Sequence, residues 1–156
     1  MILNDADRRL LDLVQTDASL TNQKLAERAG LSPATALRRM KALREAGVIE
    51  REVALLAPAQ LGPVLTALVE VTLDRQGAEH LDGFEARAVA CTEVQQCWRV
   101  SPGPDFLLVI ATRHMEAYAA LAQRLFTQDA NVRNVKAFFA TKRAKFEPRL
   151  PLPDPA

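Results

Sequence analysis

A helix stop and a helix start stand three residues apart at Gly30-Leu31-Ser32-Pro33. Glycine closes helices because it enters the left-handed backbone region at no steric cost. Serine opens them by accepting an orphan N–H, and proline at the first helical position gives up a donor with no partner there. A chain with that order must end one helix and begin another within a single tight turn. The second of these helices ends at Gly47. Upstream, Thr21 is the N-cap of a helix burying Leu25, Ala26 and Ala29. Before it, Asn4 or Asp5 caps a first helix, with Asp5 and Asp7 near its positive end. Leu10, Leu11, Leu13 and Val14 form its apolar stripe, which fades around Asp17-Ala18-Ser19. Two short helices joined by a tight turn behind a supporting helix make a helix-turn-helix. On the third helix Leu37, Met40 and Leu43 are expected to face the core, with Thr35, Arg38, Arg39 and Ala42 turned away from it.

After Gly47 the run from Val48 to Leu56 reads as extended, a short wing or a hinge strand. Ala57-Pro58-Ala59-Gln60-Leu61-Gly62-Pro63 is punctuated by proline and glycine and marks a boundary. Beyond it the hydrophobic period changes. Residues 65–73 read as a strand, 77–90 as a helix on Leu81, Phe84 and Ala88, and 94–100 as a strand. Ser101-Pro102-Gly103-Pro104 turns the chain into an apolar strand, 106–111. A helix over 115–126 and a strand over 132–141 complete the order βαββαβ, the ferredoxin-like arrangement. The fold expected is thus α+β: a helix-turn-helix domain (1–57), a hinge (58–64), a ferredoxin-like oligomerisation and sensing domain (65–146) and a tail (147–156).

Phe106-Leu107-Leu108-Val109-Ile110-Ala111 is apolar on both faces, and Leu65-Thr66-Ala67-Leu68-Val69 nearly so. Two helices cover one face of a four-stranded sheet, and a strand buried on both sides needs a second layer. A second copy of the chain is the economical source, so the sequence points to a homodimer through the sheet.

Composition sets limits on partners. With 20 Lys and Arg against 19 Asp and Glu, a nucleic-acid surface has to be local. Aromatic residues make up 5% of the 156, too few for a base-stacking single-strand binder. No apolar run reaches the ~18–20 residues of a membrane span, and Met1-Ile2-Leu3-Asn4-Asp5 is unlike a secretory leader, so a cytoplasmic location is expected. Local charge does concentrate on the third helix, where Arg38, Arg39, Lys41 and Arg44 face only Glu45. Ser32, Thr35, Arg38, Arg39 and Lys41 are therefore the candidate contacts to double-stranded DNA, since such a helix enters the major groove by its N-terminal part. A solvated helix face is the plainer reading, with Ser32 as a cap alone.

Leu3-Asn4-x-x-Asp7, Leu31-Ser32-Pro33, Arg38-Arg39-Met40-Lys41-x-Leu43, Gly47-Val48-Ile49, Val94-x-x-Cys97, Asp105-Phe106-Leu107-Leu108 and Leu150-Pro151-Leu152 follow one another in that order. In this order, over nearly the whole chain, they resemble the Lrp/AsnC (feast/famine) family of bacterial transcription factors. The resemblance implies sequence-specific DNA binding, a second domain that oligomerises and senses an amino acid or similar molecule, and dimers that assemble further, frequently to octamers. It implies an effector pocket between dimers, lined in part by the turn before Asp105, with Ser101, Asp105, Phe106, Ala137 and Phe138 as candidate contacts. A ligand bound there would act by linkage, shifting the assembly or spacing of the DNA-binding heads. Asp105 either holds an α-ammonium group or caps its own turn. Departures from the family pattern bear on the ligand. Pro102 stands for the usual glycine, His114 for a common aspartate, and Ala137-Phe138 for small hydroxyl residues. Leucine or methionine is accordingly expected as effector before asparagine, aspartate or lysine.

Other chemistry has little footing. No glycine-rich phosphate loop, Gly-x-Ser-x-Gly, metal-ligand cluster or cofactor motif stands in the chain. Haem-pathway decarboxylases resemble the same two-domain architecture but use a histidine-containing segment that is missing here, where only His80 and His114 occur. Both histidines are expected at the surface or at a helix start. An oligomeric small-molecule module without DNA binding is the other alternative, and the basic third helix argues against it. Cys91 and Cys97 are expected as buried free thiols, Trp98 as sheet packing, and Lys136, Lys142, Arg143 and Lys145 as a solvated edge.

Overall fold

The computed structural model describes residues 2–153, which fall into two compact units. One joins the chain as far as Leu55 with the chain from Lys145 onward; the other spans Leu56–Ala144.

In the first unit, α1 (Asp5–Val14), α2 (Asn22–Ala29) and α3 (Pro33–Glu45) pack around Leu10, Leu11, Leu25, Ala26, Ala29, Ala36, Met40 and Leu43. The caps follow the sequence signals. Thr21 Oγ1 accepts from Lys24 N at 3.3 Å, and Ser32 Oγ accepts from Thr35 N at 3.2 Å. Gly30 and Gly47, at φ of 65° and 69°, close α2 and α3 in the left-handed conformation that other residues strain to reach. Two expectations fail here. Leu37 is 59% exposed and Ala36 takes its place, because the core face runs through 36, 40 and 43 rather than 37, 40 and 43. Residues 48–56 form no wing or hinge strand: a strand needs a ladder partner, and no other segment of the described chain pairs with this one.

The tail closes this unit. Gln15 and Leu150 exchange two hydrogen bonds, Leu150 N to Oε1 and Nε2 to Leu150 O, both 3.0 Å. Arg8 Nε donates to Pro153 O at 3.0 Å, Arg149 pairs with Asp12, and Leu152 packs on the helical core. Residues 145–153 are thus a fourth segment of the helical unit and continue no strand of the sheet.

The second unit is a four-stranded antiparallel sheet, order β2-β3-β1-β4, with two helices on one face. Its elements are β1 (Leu65–Leu73), α4 (Ala78–Ala90), β2 (Val94–Arg99), β3 (Phe106–Thr112), α5 (Met115–Ala122) and β4 (Val132–Phe139). The helix expected over 115–126 loosens into a π turn over Gln123–Thr127 that still buries Leu125 and Phe126. Ala67, Val69, Val71, Leu73, Phe106, Leu108 and Ile110 meet Phe84, Ala88, Tyr118 and Leu121 beneath the helices. The Phe84 and Phe106 rings stand 4.8 Å apart at their centre.

The alternate residues line the other face. Leu68 pairs with Val109 on one side and Phe138 on the other, and Val109 is followed outward by Gln96. In the next row Trp98, Leu107, Glu70 and Lys136 stand side by side. Trp98 is 59% exposed, Phe138 51% and Leu68 48%, an apolar face that no element of this unit covers. Trp98 thus sits on the open face, outside the core under the helices.

Candidate nucleic-acid interface and effector loop

The exposed side of α3 carries Ser32, Pro33, Ala34, Leu37, Arg38, Lys41 and Arg44, spaced as one stripe opposite the buried 36, 40 and 43. Of the five residues singled out from sequence, Ser32, Arg38 and Lys41 are on this side. Lys41 Nζ is 3.7 Å from Glu45 in an exposed pair that costs little to break. Arg44 is held by Glu52, with 3.1 and 2.7 Å contacts from Nε and Nη2. Among the described residues Arg38 has no acidic partner. Thr35 is half-buried, its hydroxyl accepting from Ser32 Oγ at 2.9 Å, so the two hydroxyls and the Thr35 N–H form a closed cap.

Arg39 is placed differently. Its Nη1 donates to Asp7 Oδ1 at 3.0 Å, while Asp7 Oδ2 accepts from Asn4 N at 3.1 Å and Asp7 N donates to Asn4 Oδ1 at 3.0 Å. The arginine thereby ties α3 to the capping box that starts α1. A cavity of about 270 Å³ bounded by Asp7, Arg38, Arg39 and Ala42 lies beside this pair. Sequence reading did not find Asp7 as the partner of Arg39. The signal was the Asn4-x-x-Asp7 spacing with Leu10 three residues on, which turns Asp7 toward the same side as the core.

In the second unit the turn from Ser101 to Asp105 joins β2 to β3; the Ser101–Pro102 peptide is cis and Gly103 has φ of 122°. Ser101 is exposed. Asp105 continues the β1–β3 ladder, its N donating to Val71 O at 2.9 Å, and its Oδ2 accepts from Leu73 N at 2.7 Å and Gln76 Nε2 at 3.2 Å. Its carboxylate caps the end of β1. Phe106 is fully buried against Phe84 under the helices. Ala137 lies opposite Val69 on the helix-covered side while Phe138 lies opposite Leu68 on the open side, so the two neighbours address different faces. The five residues therefore do not converge on one cavity.

A cavity of about 310 Å³, lined by Val64, Glu93, Ala111, Thr112, Arg113 and Ala117, lies at the far end of β3 from that turn. Glu93 there accepts from Arg124 Nη2 at 3.2 Å, and a hydrogen bond from its own backbone N–H, then that arginine, holds its carboxyl below the usual range. His114 caps α5, Nδ1 accepting from Ala117 N at 3.2 Å. Cys91 and Cys97 are free and half-buried rather than buried, and burial followed by the nearby Glu85 pushes the Cys97 thiol up. Among the described residues no group of His, Cys, Asp or Glu is arranged to hold a metal ion. No described helix is long and apolar enough to cross a membrane.

Two family models match successive parts of the chain. Residues 3–50 match a winged helix-turn-helix DNA-binding model, and residues 66–150 match the Lrp/AsnC ligand binding domain. The chain belongs to the Lrp/AsnC family. The leucine-responsive regulatory protein of Rhizobium meliloti is 34% identical over 143 residues, 92% of each chain. A crystal structure of an AsnC family transcriptional regulator from Agrobacterium tumefaciens is 31% identical and superposes with a TM-score of 0.87, covering 96% of this chain and 97% of that one. A transcriptional regulator of Neisseria meningitidis, solved as a complex with L-Met, gives the same TM-score and coverage at 29% identity. This Lrp/AsnC protein is a DNA-binding transcription regulator rather than an enzyme, built from a helix-turn-helix unit and a ferredoxin-like ligand-binding unit. Its wing position, residues 48–56, is free of strand in the single chain.

Proposed function

We propose that this Lrp/AsnC regulator works in the cytoplasm as a homodimer formed through the open sheet face, contacts duplex DNA with Ser32, Arg38 and Lys41, and answers to an apolar amino acid. The observation that carries this reading is the second face of the ligand-binding sheet. Leu68, Trp98, Leu107 and Phe138 lie exposed on it, with Val109 half-buried among them. An apolar sheet face of that kind needs another layer, and the same face of a second copy matches it in size and character. Dimerisation brings two α3 helices into one assembly, and reading two half-sites of a duplex requires two such helices. Arg39 supports α3 from behind and is assigned no contact to DNA.

Leucine and methionine are the effectors proposed. The Rhizobium meliloti relative is named for leucine and the Neisseria meningitidis relative holds L-Met. Within this chain Asp105 is occupied by Leu73 and Gln76, and Phe138 offers bulk rather than a hydroxyl, which disfavours a second charged group on the ligand. Thermal unfolding of the full chain with each of the twenty amino acids tests this. Leucine or methionine should raise the midpoint in a concentration-dependent way and lysine and aspartate should not. A shift confined to a charged amino acid would overturn the effector reading. For the DNA contact, Arg38→Ala should lower affinity for a selected duplex at unchanged stability and flatten its dependence on log salt by about one per binding head. Unchanged affinity would remove Arg38 from the interface.

A further inference from the structure

Leu37 is 59% exposed, the one large apolar side chain left uncovered on α1, α2 or α3 among the described residues. A single exposed leucine is ordinary on a protein surface; its neighbours on the helix distinguish this one. Ala34 precedes it by three positions, Arg38 follows it, and Lys41 lies one turn beyond, all exposed. An apolar spot two residues wide is thus set within a cationic stripe, in the N-terminal half of the helix that carries the DNA-binding face.

The major groove offers a matching pattern. Its rims are phosphates, which take Arg38 and Lys41, and its floor is polar except where a thymine presents its 5-methyl group. We propose that Leu37 is a specificity-determining residue that reads a thymine methyl in the operator, with Ala34 widening the apolar contact. A second copy of the chain is the other conceivable occupant. Docking two such stripes would bring Arg38 and Lys41 of each copy together, and like charges oppose that contact.

The proposal rests on the assignment of α3 as the DNA-contacting helix, and the experiment keeps the two apart. A duplex is selected from a random-sequence library with the full-length chain, and each thymine in turn is replaced by uracil, which removes only the methyl. Wild-type affinity should fall roughly fourfold at the thymine that Leu37 touches, the worth of one methyl leaving water. Leu37→Ala should bind the parent duplex more weakly, lose that uracil penalty, and keep the same dependence on salt. A wild-type protein indifferent to every uracil, or a Leu37→Ala protein that retains the penalty, would overturn the proposal while leaving α3 as the binding helix. Failure of the wild type to select or bind any duplex would overturn both. Sedimentation of Leu37→Ala should match the wild type, and a change in its oligomeric state would place Leu37 in a protein contact instead.

Discussion

Arg39 Nη1 lies 3.0 Å from Oδ1 of Asp7, a carboxylate whose side chain is 2% exposed. One buried anion therefore starts α1 and anchors α3 at once. Asp7 completes a reciprocal cap with Asn4 and receives the only cation that reaches it among the described residues. The arrangement assigns adjacent arginines opposite duties: Arg38 points to solvent and Arg39 holds the helix that presents it.

Arg39→Ala should accordingly destabilise the helical unit by about 2–4 kcal/mol, because it strands a buried carboxylate. Arg38→Ala should change stability by less than about 0.5 kcal/mol, as exposed substitutions usually do. Urea unfolding followed by circular dichroism separates them. Equal midpoints for the two variants would show that the Asp7 pair does no more than a surface contact. The same reasoning makes an Arg38/Arg39 double substitution a poor probe of DNA binding, since its loss of binding would mix contact with unfolding.

Leu68 and Val109 face each other at the middle of the open sheet face. Leu68→Asp or Val109→Asp should convert the homodimer to monomer or aggregate, because a carboxylate buried between two apolar sheets lacks a partner. Light scattering at micromolar concentration measures it. A wild-type monomer, or a dimer indifferent to both changes, would end the sheet-to-sheet reading.

A chain ending at Pro148 lacks the Leu150 exchange with Gln15, the Arg149–Asp12 pair and the Leu152 contact. Burial of one leucine and two exposed hydrogen bonds together are worth roughly 1–3 kcal/mol. The truncated chain should unfold its helical unit at a lower temperature with the sheet unit unaffected, a difference that hydrogen exchange resolves by segment. Equal protection of α1 in both chains would show the tail to be dispensable.

The raised Cys97 thiol keeps its proton into more alkaline solution than an ordinary cysteine, and the thiolate is the reactive form. Alkylation of Cys97 by iodoacetamide near pH 8 should be slower than that of a peptide thiol, and the gap should narrow as pH rises past the usual thiol range. Mass spectrometry of the Cys97 peptide against time gives both rates. Reaction at the peptide rate would contradict the burial that raises it.

Signals carried by neighbours in the chain are fully legible in the sequence itself. Thr21, Gly30, Ser32, Pro33 and Gly47 act through the backbone groups within four residues of themselves, so the helix starts and stops follow from local chemistry alone. The order βαββαβ is legible for the same reason, and strand 106–111 shows itself as a short continuous apolar run bounded by the Ser101–Pro104 turn. What a side chain meets across space was decided only by the tertiary structure. Leu37 and Ala36 are neighbours on α3, and it is Ala36 that packs into the core shared with α1 and α2 while Leu37 stays exposed. Arg39 leaves the DNA stripe because Asp7, 32 residues away, supplies a buried charge. Ala137 and Phe138 part company because adjacent residues of a strand face opposite ways, and the register with β1 decides which of them is covered. The tail joins the helices rather than the sheet because its leucine and backbone groups find Gln15 and the helical core, partners 135 residues distant in sequence that no local pattern discloses.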